Sequence, residues 1–145
     1  MSIPQIYEQD YNELIAAGIY VQPVVNQMEV SPLMYRPEII HFFHQHKLTI
    51  SASKALHRGG ESLNTSTIKA LALKYGKTQA QIMLRWALQK KLVILAKTSN
   101  FNRMIENRDI LTFSLKSEDI ALLDAITHMD DIMLRTELEL KRKVS

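Results

Sequence analysis

The sequence contains no cysteine among its 145 residues, and it has only four glycines and four prolines. The absence of cysteine excludes disulfides, cysteine-bound zinc and thiol catalysis, and it is typical of a reducing compartment. So few glycines and prolines argue against collagen-like or long disordered stretches. No run approaches the ~20 apolar residues of a membrane span, and the N-terminus shows no signal or transit peptide. The sequence therefore predicts a cytoplasmic globular protein without membrane contact.

Charge of either sign is also modest. The 18 Lys and Arg residues exceed the 15 Asp and Glu residues by three, which is too little to indicate nucleic-acid binding. The one basic run, 141–143, is interpreted as solvated, and the tail over 130–143 that contains it is predicted to form a charged surface helix. His41, His44 and His46 have the spacing H-x2-H-x-H. No further ligands accompany them, so no metal site is predicted.

Hydrophobic periodicity predicts a single α/β domain in which helices and strands alternate. The predicted strands are 21–30, 48–53 and 92–96, of which 92–96 is the clearest, and 23–25 is expected to be buried on both faces. Such alternation indicates a parallel sheet with right-handed crossovers. A complete (β/α)8 barrel needs about 250 residues, so this chain is predicted to form a portion of a barrel with about three strands.

Capping signals mark several helix ends. Gly18 and Gly76 are expected to end two helices, because glycine readily adopts the left-handed conformation at that position. Thr78 and Gln81 form a capping-box pattern, and Asn100 is a favourable N-cap. These residues predict where helices flank the strands.

The segment with the most chemical information follows the third predicted strand. Lys97 and Thr98 lie at the carboxyl end of that strand, where parallel sheets place their ligands. The helix that begins after Asn100 offers free N–H groups to an anion. Three polar residues share one face of this helix, namely Arg103, Glu106 and Asn107. This arrangement predicts an anion or nucleotide site. The alternative is a solvated helix on which the arginine and the glutamate pair at the surface.

Four motifs resemble those of the aldo-keto reductase family, in the same order and with the same spacing. The 97–107 segment is similar to the signature K-S-x4-R-x2-E-N, and the 25–29 segment resembles V-N-Q-x-E. The 75–86 segment resembles Y-G-K-T-x-A-Q-x2-L-R-W, and the 113–119 segment resembles F-x-L-S-x-E-D. Together the motifs extend over most of the chain. The resemblance implies the C-terminal part of a (β/α)8 barrel.

The resemblance also implies NADP(H) as the cofactor and assigns residues to it. In that family the equivalents of three residues hold the 2′-phosphate, namely Lys97, Thr98 and Arg103. The equivalents of Glu106 and Asn107 contact the adenine, and the equivalent of Gln27 bonds the nicotinamide carboxamide. These roles suit the side chains, because arginine binds a phosphate in bidentate fashion and lysine binds it as a point charge.

The sequence departs from the family where an aromatic ring stacks on the nicotinamide. Alignment on Leu56 places Ser53 at that position, with Lys54 next to it, and the 53–58 loop lacks the usual Y/W-S-P-L-G. The missing ring should weaken nicotinamide placement by ~0.5–1.5 kcal/mol. Ser53, Lys54 and Leu56 are still counted as candidate cofactor-binding residues. Lys54 is interpreted either as a phosphate contact or as a surface residue.

The resemblance implies that the catalytic residues of the family have no equivalent here. Residues 1–18 are assigned to the helix after a fifth barrel strand that is expected to be missing, 19–113 to the last three strand–helix units, and 114–145 to the C-terminal helices and tail. The family's aspartate, tyrosine, lysine and histidine lie on earlier strands. No catalytic residue is therefore predicted in this chain.

Two functions are consistent with this pattern. The first is the NADP(H)-binding part of an oxidoreductase that reduces aldehydes and ketones to alcohols, with the chain inactive alone. The second is a non-enzymatic remnant, a pseudoenzyme that serves as a structural or interaction subunit of a larger assembly. Because uncovered strand edges attract further strands, self-association or a protein partner that covers the open barrel edge is also predicted.

Overall fold

A computed structural model of the chain describes residues 2–4, 6–56 and 65–127, with the backbone alone for residues 2–4. The strands in these ranges are β1 Ser2–Pro4, β2 Val25–Glu29, β3 Thr49–Ser53 and β4 Val93–Ile94. The helices are α1 Glu8–Ala16, α2 Pro37–Gln45, α3 Ser66–Tyr75, α4 Gln79–Gln89, α5 Phe101–Arg108 and α6 Ser117–Asp124. A 3-10 turn, Asp109–Thr112, follows α5 directly.

The strands form one parallel sheet in the order β1-β2-β3-β4. Side chains alternate between the two faces of a strand, so the pairing of Met28 with Ala52 and of Ala52 with Ile94 places these three on one face. Met28 and Ala52 are buried there against the helices. The opposite face, called here the inner face, is mostly polar, and β2 and β3 present on it Val25, Gln27, Glu29, Thr49, Ser51 and Ser53. The predicted fold class, an α/β portion of a barrel with parallel strands, is confirmed.

The core is concentrated on α4, which packs against α3, α5 and β4. Ile82, Leu84 and Trp86 are completely buried. The indole Nε1 of Trp86 donates to Asp124 Oδ1 at 2.7 Å, and its ring lies edge-on to Tyr35 with 5.2 Å between ring centroids. None of the helices in the described ranges is long and apolar enough to cross a membrane.

Two amide side chains hold distant segments together through backbone hydrogen bonds. The Asn26 amide, buried on β2, donates to the Ile6 carbonyl at 3.0 Å and accepts from the Ile6 N–H at 3.4 Å. The Gln89 amide donates to the Leu115 carbonyl at 3.0 Å and accepts from the Leu115 N–H at 2.8 Å. The segment before α1 and the segment before α6 are thereby fixed to the sheet and to α4.

The turns that lead into β3 and β4 share one backbone conformation. Lys47 and Lys91 both have a φ of 60°, in the left-handed region where glycine is usual. In both turns the next residue, Leu48 or Leu92, donates its N–H back into the preceding helix, at 2.9 and 3.1 Å. Successive strands therefore enter the sheet from the same kind of helix end.

The strand predictions were right in location and wrong in extent. The segment predicted as the clearest strand, 92–96, forms a strand only at Val93–Ile94. It pairs with β3 alone among the described strands, and Leu95 is 52 % exposed. An edge strand lacks the second neighbour that would extend the hydrogen-bond ladder. Of 23–25, expected to be buried on both faces, Pro23 is buried, but Val24 is 54 % exposed and Val25 is half-buried, so that prediction was wrong beyond Pro23.

The predicted helix ends agree with the structure, whereas one short strand was not predicted. The helix ends predicted at Gly76 and Thr78 are confirmed: Gly76 is left-handed, and Thr78 forms the capping box with Gln81. Strand β1 was not predicted, because three residues are too few to show a period. The glycine loop at 59–60 and the helix predicted over 130–143 lie outside the described residues.

Candidate functional site

The carboxyl ends of β2, β3 and β4 meet at one edge of the sheet because the strands are parallel. Eight of the nine candidate residues lie at this edge or in the segments that follow it, and Gln27 lies in the middle of β2. On the inner face, Gln27 is exposed, and Ser53 is half-buried at the end of β3. Leu56 is partly buried against the core. The edge therefore brings together the candidates that follow β3 and β4, with Gln27 on the inner face of the neighbouring strand.

Lys54 has an acidic partner at this edge. It follows β3 with a φ of 51°, and its ammonium forms an ion pair with the carboxylate of Glu29 on β2. Lys54 is thus an exposed residue with an ion-pair partner, and a phosphate contact for it stays a prediction.

The turn between β4 and α5 is organised by side-chain hydrogen bonds. Asn100 Oδ1 accepts from the N–H of Asn102 at 2.9 Å and from that of Arg103 at 3.2 Å. The predicted N-cap is thus confirmed. Thr98 Oγ1 accepts from the Asn100 N–H at 3.1 Å. Because Asn100 already satisfies two N–H groups of the first turn, an anion at this position would depend mainly on side-chain cations.

Two such cations flank the turn. Lys97 and Arg103 are both exposed, and neither forms an ion pair within the part of the chain that the structure describes. The alternative interpretation, a surface pair between Arg103 and Glu106, is not formed. The geometry leaves two unpaired positive charges beside the capped end of α5.

Glu106 is instead held by the start of α4. Its carboxylate accepts a hydrogen bond from Thr78 Oγ1 at 2.5 Å, and its carbonyl accepts from the Gln81 amide at 3.0 Å. Asn107 points elsewhere: with Thr98, Leu84 and other residues it lines a cleft of about 340 Å³ between α4, β4 and α5. Glu106 and Asn107 thus have different surroundings in this structure, and their joint contact with an adenine stays a prediction.

Thr78 connects the site to the fold, since its hydroxyl caps α4 and also donates to Glu106. We expect Thr78→Ala to lower the free energy of unfolding by about 1–2 kcal/mol, the usual cost of an N-cap threonine. Urea titration followed by circular dichroism measures it. Thr78→Ser should restore most of the loss. Ser66→Ala, at an exposed first position of α3, is the matched control, and equal effects in both alanine variants would contradict the role of Thr78.

An ionic cluster around one buried carboxylate was missed by the sequence analysis. Asp119, at the start of α6 and only 2 % exposed, accepts from Lys74 Nζ at 2.8 Å and from the Tyr75 hydroxyl at 2.5 Å. The hydrogen bonds from Lys74 and Tyr75 lower the pKa of Asp119. The bond to Asp119 raises the pKa of Lys74, and burial followed by the same carboxylate raises that of Tyr75. The partners lie about 45 positions apart, so no local pattern could reveal them.

The remaining acidic residue near the site also has a structural partner. Asp109 accepts from Lys77 Nζ at 2.7 Å and from Gln81 Nε2 at 3.2 Å, and the bond from Lys77 is the main reason that its pKa is lowered. In the described ranges, no three His, Asp or Glu residues are close enough to bind one metal ion.

Comparison with known protein families gives a match over most of the chain. The model of the Aldo/keto reductase family matches residues 9–128. NAD(P)H-dependent D-xylose reductase of Scheffersomyces stipitis is 33 % identical over 117 residues, which cover 72 % of this chain and 37 % of that protein. Methylglyoxal reductase DkgA of Escherichia coli is 37 % identical over 101 residues, which cover 69 % of this chain and 37 % of that protein.

Solved structures of similar proteins include cofactor complexes. A variant of Gox0644 in complex with NADPH superposes with a TM-score of 0.79 at 28 % identity, over 85 % of this chain and 45 % of that one. An aldo-keto reductase of Bombyx mori in complex with NADP superposes with a TM-score of 0.76 at 25 % identity, over 86 % and 43 %. The chain spans less than half the length of each of these four proteins.

Proposed function

Because the chain belongs to the aldo/keto reductase family, we propose that it is the NADP(H)-holding C-terminal part of an oxidoreductase that reduces aldehydes and ketones to alcohols. The observation that carries the proposal is the pair of unpaired cations, Lys97 and Arg103, at the carboxyl end of β4. Two cations beside the capped end of α5 fit a phosphate monoester such as the 2′-phosphate. Thr98, which lies between Lys97 and Arg103 in the sequence, contributes a hydroxyl group to the same turn.

The rest of the cofactor would lie along the same edge. Gln27 is exposed on the inner face and could bond the nicotinamide carboxamide, and the cleft beside Asn107 is polar at Thr98. Glu106 would first have to release Thr78 to contact an adenine with its carboxylate. In the proposed site Glu106 therefore holds α5 against the start of α4, and Asn107 is the better candidate for contact with the adenine base.

Catalysis needs a proton donor, and no residue of this sequence was assigned to that role. When bound, NADPH supplies a hydride to a carbonyl carbon, and the developing alkoxide must receive a proton from a positioned acid. Tyr75 is a poor source, because its hydroxyl already donates to Asp119 and its pKa is raised. We propose that this chain binds and orients the cofactor, and that reduction requires groups from outside the present sequence.

A second function has separate support. No residue of α5 is buried, so a whole helix face is free for a partner, as in an interaction subunit derived from a reductase. In both cases we place the protein in the cytosol, where NADP(H) is available and the lack of cysteine is unremarkable.

Calorimetric titration with NADPH and NADH tests the cofactor site. We expect NADPH to bind more tightly than NADH, which lacks the 2′-phosphate. Arg103→Ala should weaken NADPH binding about thirtyfold, on the order of 2 kcal/mol for one charged hydrogen-bonding group, and should leave NADH nearly unchanged.

The control is Lys69→Ala, which removes an exposed cation from α3 and should change neither affinity. Folded protein that binds neither nucleotide would reject the proposed function. Equal NADPH affinity in the wild type and in Arg103→Ala would reject the phosphate site.

A further inference from the structure

An ion pair lies at the end of the inner face, where β2 and β3 stop. Alternate residues of a strand share a face, so Glu29 lies on the same face as Gln27, about 6.5 Å further along β2. The strand pairing places Ser53 directly opposite Glu29. The next residue, Lys54, has a φ of 51°, and its ammonium pairs with the Glu29 carboxylate. Among the six inner-face residues of β2 and β3, Glu29 is the one with a charge.

The proposed cofactor position brings the nicotinamide ring beside this pair. Gln27 lies in the middle of β2, whereas Lys97 and Arg103 follow β4. A dinucleotide held by Gln27 at its carboxamide and by the two cations at its 2′-phosphate has to leave the inner face over the carboxyl ends of β2 and β3. The ring that carries the carboxamide therefore lies between Gln27 and the sheet edge, next to Glu29. Ser53, on the opposite strand, is small and half-buried.

The two forms of the cofactor differ in charge at this ring and carry the same phosphates. The oxidised nicotinamide ring is positively charged, and the reduced ring is neutral. A carboxylate beside the ring attracts the oxidised form, and an ammonium in the same place repels it. Because Glu29 and Lys54 are paired, their charges sum to zero, and the effect of each on the ring is largely offset by the other.

We propose, on the premise of the function proposed above, that the Glu29–Lys54 pair sets the relative affinity of the chain for NADP+ and NADPH. NADP+ is the form that has to leave after a carbonyl is reduced, and an unpaired Glu29 would retain it. Lys54 prevents this by neutralising the carboxylate. The two side chains are 27 % and 48 % exposed, so water screens their charges and the effect on affinity is moderate.

Calorimetric titration of the full chain with NADP+ and with NADPH tests the pair. The quantity compared is the ratio of the two dissociation constants, because a contact between Lys54 and a phosphate would affect both forms equally and leave the ratio unchanged. Lys54→Gln leaves the carboxylate unpaired and should shift the ratio about threefold to tenfold in favour of NADP+. Glu29→Gln leaves the ammonium unpaired and should shift the ratio by a similar factor in favour of NADPH.

The matched control is the double variant Glu29→Gln with Lys54→Gln, in which the ratio should return to the wild-type value. Lys69→Ala, at an exposed cation of α3, should not change the ratio. Either single variant is sufficient if the other does not fold, because the expected shifts have opposite directions. An unchanged ratio, or a shift in the same direction in both single variants, would overturn the inference and leave the proposed function standing. Folded wild-type protein that binds neither form would reject both.

Discussion

Trp86→Ala is expected to lower the free energy of unfolding by about 3–5 kcal/mol, the range for removing a fully buried aromatic side chain. Trp86 is completely buried on α4, packs edge-on against Tyr35 and donates to Asp124. Its removal leaves a cavity in the helix that contacts α3, α5 and β4. Small domains have a total stability of about 5–15 kcal/mol, so much of the protein should be unfolded at moderate urea concentration.

Urea titration followed by far-ultraviolet circular dichroism measures this loss, since the variant has no tryptophan left to report it. The free energy of unfolding of Trp86→Phe should lie between those of the wild type and Trp86→Ala, because phenylalanine keeps most of the side-chain volume but loses the hydrogen bond to Asp124. Leu73→Ala is the control, at a residue that is 85 % exposed, and should have little effect. A loss in Trp86→Ala no larger than that in Leu73→Ala would show that α4 is not the centre of the core.

Asp119→Ala is expected to lower the free energy of unfolding by about 2–3 kcal/mol, because it removes hydrogen bonds to a buried charge. Asp119 joins the start of α6 to the end of α3, where Lys74 and Tyr75 donate to it. The cost stays below that of breaking a fully buried pair, because the Lys74 side chain is 44 % exposed and can regain water. Thermal unfolding of the wild type, Asp119→Ala and Glu38→Ala compares this loss with that at an exposed acidic residue in the first turn of α2.

The same cluster should give stability a defined dependence on pH. The pKa of Asp119 is lowered by folding, so its contribution is complete above the ordinary carboxyl range and is lost as pH falls through the lowered value. The pKa values of Lys74 and Tyr75 are raised, so their contributions are complete below their ordinary values and are lost as pH rises through the raised ones. Asp119→Asn should flatten the acid limb, and an unchanged limb would contradict the cluster's role.

Local signals in the sequence were sufficient to place much of the fold. Thr78 and Gln81 form the capping box that their spacing predicts, and Asn100 caps α5, because these interactions span only three or four residues. Strand β4 was misjudged for the opposite reason. The apolar run at 92–96 measures preference for a strand, whereas strand length depends on how many neighbours pair with it, and β4 pairs with one described strand.

In the candidate site, too, the sequence showed local features but not contacts between distant residues. The motifs correctly placed Lys97 and Thr98 at the carboxyl end of a parallel strand. They could not show that Glu106 is bonded to Thr78, or that Lys54 is paired with Glu29, because each partner is more than 20 positions away in the chain. Whether these residues bind NADP(H) stays a prediction.

The polar inner face of the sheet has a consequence for any ring that reaches it. Gln27 and Thr49 are exposed there, and in solution such groups hydrogen-bond to water. Displacing ordered water with a group that cannot replace its hydrogen bonds loses affinity. A bare hydrocarbon ring would therefore bind poorly on this face, whereas a ring that carries an amide can take over the bonds to Gln27. The surface of the sheet itself would then discriminate between ligands, before any loop closes over them.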